Sequence, residues 1–157
     1  MATQSDEIPE IQVDGEAAAS LDGMDDVHEL LNRYWNTAAE ASLGPPDTTW
    51  RVLFDSAVAE IAGNIVRHAY PPPHIATTFQ ISLRYFTNRV EAILLDRGIP
   101  YVPVPELDLP DMREALDDPE LDHGWGLMIA QAVADNLDYE RLVDGHNRWS
   151  IEKRFPS

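Results

Sequence analysis

Ile11 and Val13 alternate with polar neighbours and predict a short leading strand. Val27, Leu30, Leu31, Tyr34, Trp35 and Ala38 then recur at helical spacing, which predicts an amphipathic helix over 24–38 that ends before Gly44-Pro45-Pro46. Asp47 fits the N-cap of a longer helix running to about Tyr70 and stopped by Pro71-Pro72-Pro73. Beyond the prolines the period drops to two. Phe79, Ile81, Leu83 and Tyr85 alternate with Gln80, Ser82 and Arg84, and a turn at Thr87-Asn88 leads into a second strand from Arg89 to Leu95. A helix over about 125–136 and two strands, 137–143 and 147–155, around the Asp144-Gly145 turn close the chain. The order βααββαββ predicts an α+β fold, a two-layer α/β sandwich with a mainly antiparallel sheet and helices on one face.

Length and charge narrow the classes. A chain of 157 residues, 44% of them hydrophobic, is one domain with a sizeable core. With 28 Asp+Glu against 11 Lys+Arg the formal charge is −17, which argues against nucleic-acid and anionic-membrane partners. No apolar run is long enough to span a membrane, the start resembles no signal peptide, and cysteine is absent, so a cytoplasmic protein without disulfides or thiolate chemistry is expected. The acid is concentrated: residues 1–30 carry nine carboxylates and no Lys or Arg, and residues 106–122 carry eight beside the single Arg113. Residues 1–10 are expected to be a disordered acidic tail, and the second block an acidic surface loop between ordered elements.

The central helix carries the first candidate chemistry. With Val58 at the origin of a helical wheel, Phe54, Ile61, Ala62, Ile65 and Ala69 fall within about 60° of it, while Glu60, Asn64, Arg67 and His68 fall between about 180° and 280°. Glu60 and Asn64 stack one turn apart, a pair of hard oxygens able to serve a divalent cation and accept a proton. Arg67 and His68 suit phosphate oxygens. Small residues, Ala57, Ala59 and Gly63, surround them. Asp96-Arg97-Gly98 follows a strand, where a carboxylate can accept from an exocyclic amine and a glycine lets a flat ring approach the backbone. Gly124-Trp125-Gly126-Leu127 precedes a helix, where free N–H groups suit phosphate.

Together these segments resemble the GHKL (histidine-kinase-like) ATPases, which have a Bergerat-type fold. The stretch from Phe54 to Tyr70 resembles their N-box, and its His-Ala-Tyr ending is closest to the anti-sigma-factor serine/threonine kinases. Asp96-Arg97-Gly98-Ile99-Pro100 resembles the box that holds adenine, and Gly124-Trp125-Gly126-Leu127 the second glycine box. The closing hairpin from Asp144 to Phe155 resembles that branch through its Asn147-Arg148-Trp149 run. The resemblance covers residues 54–155 and implies that residues 11–157 form a single ATP-binding domain. It implies Glu60 as general base, Asn64 as Mg²⁺ ligand, and Asp96 as ligand of the adenine amine. Arg67, His68, Gly98, Gly124, Trp125, Gly126, Leu127 and Asn147 are implied around the nucleotide, and 101–122 as the ATP lid. ATP and Mg²⁺ are the cofactors it implies. Its partners would be a sigma factor that the protein sequesters and an anti-anti-sigma antagonist that it phosphorylates. A homodimer is expected, with Tyr34, Trp35 and the leading strand supplying the apolar patch. Pro100 in place of a glycine, and Asp122-His123 where a further glycine is usual, keep open an alternative: a weak or inactive nucleotide-binding module that acts by sequestration alone.

Overall fold

The computed structural model describes residues 7–70, 77–101 and 125–157. The expected order of elements is present. Strand β1 (Ile11–Ala18) leads to helices α1 (Gly23–Glu40) and α2 (Thr48–Asn64). Strands β2 (Thr78–Tyr85) and β3 (Arg89–Asp96) follow, then helix α3 (Trp125–Val133) and strands β4 (Asn136–Arg141) and β5 (Asn147–Arg154). The five strands form one antiparallel sheet in the order β1-β2-β3-β5-β4. Since β5 inserts between β3 and β4, Asp96 at the end of β3 lies directly opposite Asn147 at the start of β5.

Alternation decides the two faces of the sheet. Phe79, Ile81, Leu83, Val90, Ala92, Leu94, Trp149 and Ile151 are buried under the helices, while Gln80, Ser82, Glu91, Ser150 and Glu152 occupy the other face. From the helices, Val27, Leu31 and Tyr34 of α1 and Phe54, Val58 and Ile61 of α2 complete the core. Asp47 caps α2 as expected, its side chain accepting from Trp50 N at 2.8 Å. Asp55 ties α2 to α1 by accepting from Trp35 Nε1 at 2.8 Å, and burial pushes its carboxyl above the usual range.

Three differences from the sequence reading have physical causes. First, Tyr34 and Trp35 are 0% and 3% exposed, and the Tyr34 hydroxyl donates to Arg84 O. They are spent inside the protomer and offer no surface patch. Secondly, Glu7 and Glu10, inside the expected tail, already meet the sheet: Glu7 pairs with Arg89 at 3.0 Å and Glu10 N donates to Tyr85 O. Thirdly, the central helix does not stay α-helical to Tyr70. At Ile65, whose N–H is shared between the carbonyls of Ile61 and Ala62, it widens into a π-helical turn over Ile65–Ala69. Such turns are rare and concentrate at functional sites. Residues 102–124, and with them nearly all of the expected lid, lie outside the described residues.

Candidate functional site

The end of the π-helical turn is docked on the Asp-x-Gly loop. Ile99 N donates to Ala69 O at 2.8 Å, and Arg97 N donates to the Tyr70 hydroxyl at 2.9 Å. Gly98 makes this contact possible, because a Cβ there would stand 2.2 Å from Ala69 O and 2.5 Å from Ala69 Cβ. The glycine expected to admit a flat ring is therefore required first by the helix end that packs on it.

Asp96 is 2% exposed. Its Oδ1 accepts from Asn147 Nδ2 at 2.7 Å and from Gly98 N at 2.8 Å, whereas Oδ2 takes no hydrogen bond from the described residues. Burial pushes this carboxyl above the ordinary Asp range, against the pull of the Asn147 and Gly98 hydrogen bonds and then of the Arg141 charge. A buried carboxylate with one oxygen fixed and the other unspent is suited to accept an amine N–H. At the rim, Arg97 Nε donates to His146 Nε2 at 3.0 Å, and His146 Nδ1 meets Asp144 Oδ1 at 3.0 Å.

One helical turn before the π-helical segment, Glu60 and Asn64 are half-buried on the side of α2 away from the core. Neither makes a hydrogen bond or ion pair with the described residues, so their oxygens are available to a ligand. The Asn64 oxygen suits Mg²⁺, which takes few protein ligands and completes its octahedron with water and phosphate oxygens, and the Glu60 carboxylate beside it suits a proton. Among the described residues no group of three His, Cys, Asp or Glu could hold a metal ion. Arg67 and His68 are exposed, and the Arg67 guanidinium folds back over Gly63, where a Cβ would lie 3.1 Å from one of its terminal nitrogens.

Of the second glycine box, Gly124 lies outside the described residues. Trp125, Gly126 and Leu127 form the first turn of α3, whose N–H groups have no acceptor within the helix. Leu127 also packs against the core. Asn147 is buried beside Asp96. Three residues around it were not found by sequence reasoning: Tyr139 and Arg141 of β4, and Tyr101. Tyr139 Oη donates to Asn147 Oδ1 at 2.5 Å and accepts from Tyr101 N at 2.8 Å, while Arg141 Nη1 donates to Asn147 Oδ1 at 3.0 Å and Gly98 O at 2.9 Å. The rings of Tyr101, Tyr139 and Trp149 close against one another with centroids 4.7–5.6 Å apart. The one signal in the sequence was Arg141, a charged residue in the inward phase of a strand.

A separate hollow of about 430 Å³ opens on the far face of the sheet, among Glu91, Arg148 and Glu152. Of its four arginines, Arg148 pairs with Glu140, Arg89 with Glu91 and Arg154 with Glu152, whereas Arg84 has no ion pair among the described residues and its buried Nε has no hydrogen-bond partner there.

An antiparallel sheet covered on one face by helices, with a buried carboxylate at a strand end, is an α+β domain whose polar groups suit a nucleotide. The family model of the histidine kinase-like ATPase domain matches residues 24–152, most of the chain, and the protein belongs to that family. It is therefore an ATP-binding domain of the kinase-like ATPase type. No curated protein matches the chain. None of the described helices is long and apolar enough to cross a membrane.

Proposed function

We propose that this protein is an ATP-dependent anti-sigma-factor serine/threonine kinase, which sequesters a sigma factor and phosphorylates an anti-anti-sigma antagonist. The support is a convergence at Asp96. The two segments that resemble that branch, His68-Ala69-Tyr70 and Asn147-Arg148-Trp149, meet there: Tyr70 holds Arg97 N and Asn147 holds the Asp96 carboxylate. Asp96 would take the adenine amine on Oδ2. Glu60 would accept the proton of the attacking hydroxyl, and Asn64 would be the protein ligand of Mg²⁺. The bound metal supplies neutralisation of the phosphate charge. Gly124 and the N–H groups that open α3 would face the transferred group. The reading includes a cytoplasmic homodimer, whose contact must lie elsewhere than at the buried Tyr34 and Trp35.

The test is incubation with γ-labelled ATP, Mg²⁺ and each candidate antagonist from the same genome. Label is expected on a serine or threonine of one of them. Normal binding of Mg-ATP in calorimetry, with no label on any candidate, would overturn the kinase and leave sequestration. That second reading draws on Pro100, which restricts the loop after Gly98, and on Asp122, a carboxylate at the phosphate box.

A further inference from the structure

Asn147 has no hydrogen-bonding capacity left for a nucleotide. Its Nδ2 donates to Asp96 Oδ1 at 2.7 Å and lies 3.2 Å and 3.1 Å from the carbonyls of Gly98 and Ile99. Its Oδ1 accepts from Tyr139 Oη and Arg141 Nη1. Side-chain amides offer two donors and two acceptor sites, and all are used. The polarity is also locked. A flipped amide would set its NH₂ against the Arg141 guanidinium and its oxygen against a carboxylate and two carbonyls.

We propose that Asn147 is the positioning residue that makes the base pocket select adenine: it fixes Asp96 as an acceptor whose free oxygen meets an exocyclic amine and repels a ring carbonyl. This rests on the ATP-site reading above. Guanine presents an oxygen where adenine presents an amine, so an ionised Asp96 would oppose it oxygen to oxygen. A neutral Asp96 could instead donate its proton to that oxygen. Burial drives Asp96 towards the neutral form, and the Asn147 hydrogen bond is foremost among the interactions that oppose it. Tyr139 and Arg141 act one step further out, holding the amide in the orientation that donates. The other ionisable groups around Asp96 among the described residues are Tyr70 at the helix end, Arg97 beside it, Arg141 on β4 and His146 in the β4–β5 turn.

The proposal is tested by calorimetry of wild type, Asn147→Leu and Tyr139→Phe with Mg-ATP and Mg-GTP, and by carbon-13 NMR titration of the Asp96 carboxyl in the nucleotide-free proteins. Loss of a hydrogen bond to a charged group predicts that Asn147→Leu narrows the ATP-to-GTP affinity ratio about ten-fold or more. Tyr139→Phe, which keeps the ring and the fold, should narrow it less. In both variants Asp96 should titrate at higher pH than in wild type, and ATP affinity relative to wild type should fall as pH is lowered. An unchanged ratio and an unchanged Asp96 titration in Tyr139→Phe and in any folded Asn147→Leu would overturn the proposal. A wild type that binds neither nucleotide would instead overturn the ATP reading, while the titration of the free protein still reports on Asn147.

Discussion

Replacing Gly98 by alanine separates two accounts of the Asp-x-Gly loop. If the glycine serves only to admit a base, the nucleotide-free protein should tolerate a methyl group. The structure predicts otherwise, because the new Cβ would lie 2.2 Å from Ala69 O, 2.5 Å from Ala69 Cβ and 2.6 Å from Ala69 C, two of them backbone atoms. Relief requires the helix end and the loop to separate, which breaks the 2.8 Å bond from Ile99 N to Ala69 O. The lost hydrogen bond costs about 1 kcal/mol and overpacking about 1–3 kcal/mol, less about 0.5–1 kcal/mol gained because alanine restricts the unfolded chain. A net loss of about 1–3 kcal/mol should lower Tm by about 2–12 °C in a domain of this size. Gly44→Ala is the internal control, since a Cβ there meets nothing within 4 Å. Thermal unfolding of both nucleotide-free variants by circular dichroism measures the effect. A Gly98→Ala protein that melts at or above the wild-type temperature would refute the docking argument.

Other consequences can be measured separately. Glu60→Ala should bind Mg-ATP about as well as wild type yet lose phosphotransfer, and undiminished label transfer would remove Glu60 from the role of base. Asp47→Ala deletes the acceptor for Trp50 N and should cost about 1 kcal/mol, seen as a fall in Tm of about 2–4 °C. For pH, burial raises the folded pKa of Asp96 above its unfolded value near 3.9. Its stabilising contribution is therefore complete below the unfolded pKa and is lost as pH rises through the folded one. Asp96→Asn cannot titrate, so melts of the nucleotide-free proteins should show the variant gaining on wild type as pH rises from about 4, and parallel curves would contradict the sign.

Local periodicity made the elements legible and left their docking obscure. Alternation over Phe79–Tyr85 and the helical stripe of α2 each define a buried face by geometry within the segment, and both faces are buried. What a face packs against is a tertiary property. The stripe on α1 was legible, but nothing local distinguishes Tyr34 and Trp35 facing their own sheet from the same residues facing a second copy. Widening at Ile65 was equally hidden, since its visible counterpart is the contact between Ala69 and a loop some thirty residues later in the chain. Asn147 was found as a site residue through resemblance alone. That it acts on Asp96 follows from the β3–β5 pairing, which sets the two opposite each other. Tyr139 joins them because β4 pairs with β5 and places it opposite Trp149.

On the proposed ATP-site reading, the distribution of charge asks for base and phosphates to be handled separately. Residues 1–30 and 106–122 hold 17 of the 28 carboxylates, nine and eight, which leaves 11 elsewhere against the 10 Lys+Arg outside those blocks. The body of the domain is thus nearly neutral, yet the base end is built around a buried acid. An adenine ring carries no net charge and would suit that acid, which Asn147, Gly98 and Arg141 stabilise from behind. A polyphosphate placed there would be repelled. On that reading the phosphates are better served at the start of the π-helical segment, where Asn64 would offer an oxygen to a cation, and by the N–H groups of the first turn of α3, which have no acceptor within the helix. The segment Ile65–Ala69 sets that separation at one end and is pinned at the other by the Ala69 carbonyl on the Asp-x-Gly loop. On the proposed ATP-site reading, the π-helical turn would join two sites of opposite electrostatic demand, and an α-helical continuation would present Ala69 to the loop at a different angle.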